Sequence, residues 1–131
     1  MVVIHSLTCK TMKSVVTTQA PIPIGPYRLH WNHTSYSFSQ AIKHNGILYL
    51  SGNIGFAPGT TKLVDDKDVE KQTHQIFKNI GAILKEAGSG FDKVIKVTVF
   101  ITDMAHFHAM NGVYQQCKWI WHQQVINLFR F

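Results

Sequence analysis

At 131 residues, with 45% hydrophobic and 15% charged side chains, the chain reads as one globular domain rather than a disordered segment, and no apolar run approaches the ~18 residues of a membrane-crossing helix. The formal charge of +6 is lopsided, because Asp65 is the first acidic residue. The lysines are nevertheless scattered and no basic stripe interleaves with aromatics, so the charge reads as ordinary solvation ahead of RNA affinity.

Cys9 and Cys117 form no C-x-x-C pair and no signal peptide precedes them, so both thiols are expected reduced, in the cytosol or a similar compartment. Residues 1–20 hold Lys, Ser and Thr but no acid, a faint mitochondrial-presequence composition that no arginine supports; Met12 is an alternative start. The expected layout is an extension over 1–14 and a single domain over 15–131.

Residues 13–18 alternate loosely, as in a first edge strand, and Pro21, Pro23 and Pro26, which cannot donate to a ladder, end it. A turn at Ile24-Gly25-Pro26-Tyr27 leads to 28–38, rich in His, Asn, Ser, Thr and aromatics without a period, which reads as a surface loop. A strand resumes at Ser39. Asn45-Gly46 is a hairpin signal, because both residues tolerate positive φ, so 39–44 should pair antiparallel with 47–52. Asp65, Asp66 and Asp68 crowd the start of a helix. Val69, Ile76, Phe77, Ile80, Ile83, Leu84 and Ala87 recur at its spacing, and Gly88 supplies the stop. Residues 94–102 alternate as a β-branched strand with Ile95, Val97, Val99 and Ile101 on one face. Strand, helix, strand predicts a right-handed crossover and a parallel pair. Asp103 caps a second helix with Phe107, Met110, Tyr114, Cys117 and Trp121 on one stripe; it either runs on to about Val125, or 125–131 turns back as a strand.

The buried-type strand 46–50 ends in Ser51-Gly52-Asn53-Ile54-Gly55, which places a hydroxyl and bare backbone at one point. Ser51 reads equally as a satisfied strand-end residue or a functional one, and Gly52 and Gly55 as a bulge or a point of ligand approach. The histidines at 30, 33, 106 and 108 lack the convergent ligands of a zinc site, so no metal is expected. Ser51 lacks the nucleophile-elbow pattern of a hydrolase triad. The aromatics Trp119, Trp121, Phe129 and Phe131 read as core or interface cover ahead of a stacking platform.

Several pieces, in order, resemble the Rid family of reactive-intermediate deaminases, also called YjgF or RidA proteins. They are Ala20-Pro21 with Ile24-Gly25-Pro26-Tyr27, Ser39-Gln40-Ala41, Leu48 to Gly55, Asn79-Ile80 with Ile83 to Gly88, Val94 to Phe100, and Asn111 to Tyr114. The resemblance implies an α+β fold, a mixed β-sheet packed on two helices in a chorismate-mutase-like architecture, assembled as a homotrimer with ligand clefts between subunits. It implies hydrolysis of 2-imino or 2-enamino acids to 2-oxo acids and ammonia, with no cofactor. By position, Tyr27 and Ser51 match its catalytic cleft residues, and Gly52 and Asn111 its substrate-binding ones.

The chain departs from the family in two places. Residues 28–38 are inserted between the Gly-Pro-Tyr turn and the Ser-Gln-Ala strand, and the tail 119–131 lacks the Pro-Ala-Arg segment and the following strands' arginine and glutamate, which suggests an incomplete C-terminus. Arg28, beside Tyr27, is the stand-in for the carboxylate clamp. The other readings are a basic RNA-binding or ribonuclease-like translation inhibitor, and a catalytically silent interaction protein or truncated isoform.

Overall fold

The computed structural model describes residues 12–22, 39–116 and 125–130. Three short strands, β1 (Lys13–Val15), β2 (Ala41–His44) and β3 (Ile47–Leu50), form an antiparallel sheet in the order β1-β2-β3. The expected hairpin is present: Ala41 pairs with Leu50 and His44 with Ile47. Asn45 and Gly46 turn the chain with φ of 50° and 78°, the two positive values that match the twist of the flanking strands.

After β3 the chain folds back on itself through a bridge between Phe56 and Leu63 and then enters α1 (Val69–Glu86). Its N-cap is Asp68, whose side chain accepts from the Lys71 N–H. The other end closes as a Schellman motif: Ser89 N–H donates to the Leu84 carbonyl at 2.8 Å, Gly88 N–H to that of Lys85 at 3.0 Å, and Gly88 takes φ of 70°. A 3-10 turn over Phe91–Lys93 leads to β4 (Lys96–Ile101). Asp103 caps a second 3-10 turn, Met104–His106, through the Ala105 N–H, and this runs into α2 (Phe107–Gln116).

Of the two fates open to the tail, the chain takes the strand: β5 (Val125–Arg130) lies parallel to β4, with Lys96 opposite Val125 and Ile101 opposite Arg130. The parallel pair expected across α1 is corrected by this topology. β4 finds its parallel partner across α2 instead, and β3 belongs to the antiparallel sheet, with no second neighbour among the described residues. The physical reason lies in the segment 51–68, whose own bridge reverses the chain before α1, so β3 and α1 do not form a simple crossover unit. Ile95, expected to share a face of this strand with Val97, Val99 and Ile101, precedes the strand and is 69% exposed.

The architecture is therefore α+β with two helices, its strands divided among the described residues into a three-stranded antiparallel sheet and a two-stranded parallel one. Val15, Ala20 and Ala41 pack with Ile83, flanked by Leu48, Leu50 and Ala87, which seats α1 on the first sheet. α2 packs on α1, where Phe77 meets Tyr114 at 5.6 Å and Phe91 at 6.1 Å, edge to face in both cases. No helix among the described residues is long and apolar enough to cross a membrane.

Candidate functional site

Ser51 and Gly52 emerge at the end of β3, both exposed. The Ser51 amide donates to the Gln40 carbonyl at 3.0 Å, continuing the β2–β3 ladder by one residue. Its hydroxyl donates to the Ser39 carbonyl at 2.7 Å. A carbonyl can only accept, so the direction of that bond is settled, and the Oγ lone pairs remain as acceptors toward solvent. The Gly52 N–H, next along the chain, has no acceptor among the described residues. An acceptor and a backbone donor thus stand side by side at an open strand end.

Both ends of this segment are held. On the near side Gln40, only 5% exposed, ties its side chain to Thr17 and Pro21. On the far side Asn79, fully buried in α1, donates its amide to the Phe56 carbonyl at 3.0 Å and accepts from Gln75 at 2.8 Å. Gly55 is buried there too: a Cβ on it would stand 2.9 Å from the Gln72 Cα. Its lack of a side chain serves close packing of the loop on α1, a third role beside the bulge and the ligand approach that its sequence suggested.

The site residues named from sequence do not all gather in one chain. Asn111 is half-buried on α2 and no hydrogen bond joins it to Ser51 or Gly52. α2 packs on α1, and β3 is not among the elements that pack closely on α2. Tyr27 and Arg28 lie outside the described residues, as does the expected loop 28–38 that begins with Arg28 and precedes Ser39. Gln40 and Asn79 belong to the motifs Ser39-Gln40-Ala41 and Asn79-Ile80, but nothing in their spacing revealed that they clamp the loop. Their burial as polar residues is what marks them.

A second feature lies at the start of α1, where Asp65, Asp68, Glu70 and His106 line an open depression of about 600 Å³. Asp65 accepts from the Lys67 and Asp68 amides and, with Asp68, from the Lys71 ammonium at 3.1 and 3.2 Å. The Lys67 amide first, then the Lys71 side chain, hold the Asp65 carboxyl below its ordinary range; for Asp68 the Lys71 amide leads. Lys71 is correspondingly pushed up, by Asp65 and then Asp68. This is a helix-capping network with surplus negative charge, a poor host for a carboxylate substrate. Among the described residues no three His, Cys, Asp or Glu side chains are grouped to hold a metal ion.

Residues 31–123 match the family described as Endoribonuclease L-PSP. The Arabidopsis thaliana protein named Reactive Intermediate Deaminase A, chloroplastic, is 42% identical over 103 residues, 78% of this chain and 49% of its own length. The chain belongs to the Rid family. The Mus musculus 2-iminobutanoate/2-iminopropanoate deaminase, another Rid-type relative, is 39% identical over 103 residues, covering 79% of this chain and 67% of that one. A crystal structure of a Rid family protein from Yersinia pestis superposes with a TM-score of 0.74 at 36% identity, over 92% of this chain and 86% of that one. The α+β fold with two helices is thus the Rid fold, as the resemblance implied.

Proposed function

We propose that the chain is a Rid-type deaminase that hydrolyses small 2-imino acids to 2-oxo acids and ammonia at a site built on Ser51 and Gly52. One observation carries the reading: the Ser51 hydroxyl is committed to the Ser39 carbonyl, which leaves an acceptor beside the exposed Gly52 N–H, for which there is no acceptor among the described residues. Relatives named as deaminases at about 40% identity support it.

The chemistry suits these groups. A protonated imine is already electrophilic, so the protein has to hold the substrate carboxylate, place a water and stabilise charge. The Gly52 N–H donates to the carboxylate, while Ser51 Oγ accepts a hydrogen bond from the attacking water and orients its lone pair on the imine carbon. Water adds to the C=N carbon to give a carbinolamine; a proton moves to nitrogen, ammonia leaves with the C–N electron pair, and the C=O forms. Ser51 is an orienting acceptor here, not a nucleophile. Tyr27 closes the cleft, Arg28 takes the substrate carboxylate, and Asn111 of a neighbouring copy completes the site in a homotrimer.

The test generates 2-iminopropanoate in situ with a pyridoxal-phosphate enzyme and follows its loss. The wild-type chain should exceed the buffer rate, Ser51→Ala should lower kcat/KM roughly tenfold or more, and Arg28→Ala should raise KM. A wild-type rate equal to buffer from an intact oligomer would refute the deaminase and leave a silent interaction scaffold, the reading that the tail without Pro-Ala-Arg favours.

A further inference from the structure

We infer that the Gln40 side chain is a positioning residue for Ser51, a claim that rests on Ser51 being the site's acceptor. Gln40 stands one residue before β2 and is 5% exposed, a position where an amide must find partners for all its hydrogen-bonding groups. It does so entirely against one segment. Its Oε1 accepts from the Thr17 N–H at 2.6 Å, and its Nε2 donates to the Thr17 and Pro21 carbonyls, each at 2.9 Å. Both amide hydrogens and one oxygen lone pair are thereby used. Thr17–Pro21 has no ladder among the described residues, where Gln40 stands in for a strand partner. Ser39 adds a further tie on the same flank, its Oγ donating to Ser14 Oγ at 2.9 Å.

The opposite flank of the same two residues holds Ser51. The Ser39 carbonyl accepts the Ser51 hydroxyl and the Gln40 carbonyl accepts the Ser51 amide. The Ser39 carbonyl lies in the peptide plane that ends at the Gln40 nitrogen, so any rotation of the Gln40 backbone swings the acceptor that aims Ser51 Oγ. Three side-chain bonds on one flank thus fix the peptide that sets the lone-pair direction on the other. Glutamate at this position would keep the bond from Thr17 but set an oxygen against two carbonyls, and asparagine is one methylene too short to span both.

Amide hydrogen exchange on the wild-type chain tests the coupling without any variant. The Thr17 and Ser51 amides should open as one unit, with protection factors within about threefold of each other; a difference beyond tenfold would overturn the inference. Gln40→Glu and Gln40→Asn should then lower Ser51 protection at least tenfold while leaving Ile83 and Leu84 in α1 unchanged, and unchanged Ser51 protection in folded variants would also overturn it. A double-mutant cycle on imine hydrolysis separates positioning from general damage: Gln40→Glu should cost about tenfold in kcat/KM when Ser51 is present and less than twofold in a Ser51→Ala background. Equal losses in both backgrounds would mean Gln40 does not act through Ser51. Coupled amides in a chain that hydrolyses no imine would defeat the deaminase reading and leave the positioning intact.

Discussion

At the scale of single residues, the loop that carries Ser51 and Gly52 is held by polar side chains buried where an apolar residue would ordinarily sit. Asn79 is fully enclosed and caps the Phe56 carbonyl. Replacing it with alanine removes that donor, leaves the carbonyl and Gln75 without their partner and opens a small void. Asn79→Ala should therefore lower unfolding stability by about 1–3 kcal/mol in chemical denaturation. Gly55→Ala should cost a similar ~1–3 kcal/mol, because the neighbour at 2.9 Å is helix backbone, which cannot swing aside as a side-chain tip would. If alanine at 55 left the midpoint unchanged, the loop would not be packed on α1 as described. Neither residue touches the Ser51 acceptor, so any loss of imine hydrolysis in these variants should track the folded fraction.

At the scale of elements, α1 is the most strongly specified piece. Its first turn is capped by Asp68, backed by Asp65 and Lys71, and its last by the Gly88 motif. Both aspartates have their folded pKa depressed below the ordinary 3.8. The stability they contribute is therefore fully present above about that value and is lost as pH falls through it toward the lower folded value. Lys71 works the other way: its raised pKa contributes below 10.5 and is lost as pH rises beyond it. Thermal melts should show Asp68→Ala lowering Tm by about 4 °C at pH 7. The gap between wild type and variant should narrow at pH 3, whereas a gap that widened in acid would contradict the capping geometry. These carboxylates are partly exposed, so added salt should weaken the Lys71 pairings while sparing the amide bonds to Asp65 and Asp68.

At the scale of the whole molecule, several large hydrophobic side chains among the described residues are exposed. Ile42, Ile47, Ile54, Val16 and Ile95 are among the large hydrophobic residues at least 36% exposed, and Ile47 belongs to β3, whose free edge lacks a described partner. Among the described residues parallel β4 and β5 form a two-stranded sheet, with Phe100 and Phe129 stacked at 5.5 Å and Phe129 52% exposed. Parallel strands are usually covered on both faces. The proposed homotrimer would cover such residues and unite Asn111 of one copy with Ser51 of another, and it predicts a mass by light scattering on a sizing column of three times 14.9 kDa. A monomer would separate Ser51 from Asn111 and defeat the intersubunit site. The charge of +6 reads as solvation, and the alternative RNA-binding reading would instead require RNA affinity that falls steeply with added salt; affinity indifferent to salt would count against it.

What the sequence determined by itself was local pattern, though not every boundary, since the strand expected from 94 begins at Lys96. The hairpin was readable because Asn45-Gly46 accepts positive φ, and α1 because three aspartates, a 3.6-residue apolar period and Gly88 agree with one another. Ser51 and Gly52 were readable as a hydroxyl beside bare backbone at a strand end. What only the tertiary structure decided was which elements meet. The same apolar tail residues suit a helix or a strand, and β4 had to offer a ladder before 125–130 became a parallel strand. Burial of a glutamine or an asparagine has no period in sequence, so the clamps at Gln40 and Asn79 emerged only when Thr17, Pro21 and Phe56, 23, 19 and 23 residues away along the chain, came within hydrogen-bonding distance. Local pattern is set by the backbone's short-range geometry, whereas the partner of a buried polar group is chosen by the fold that surrounds it.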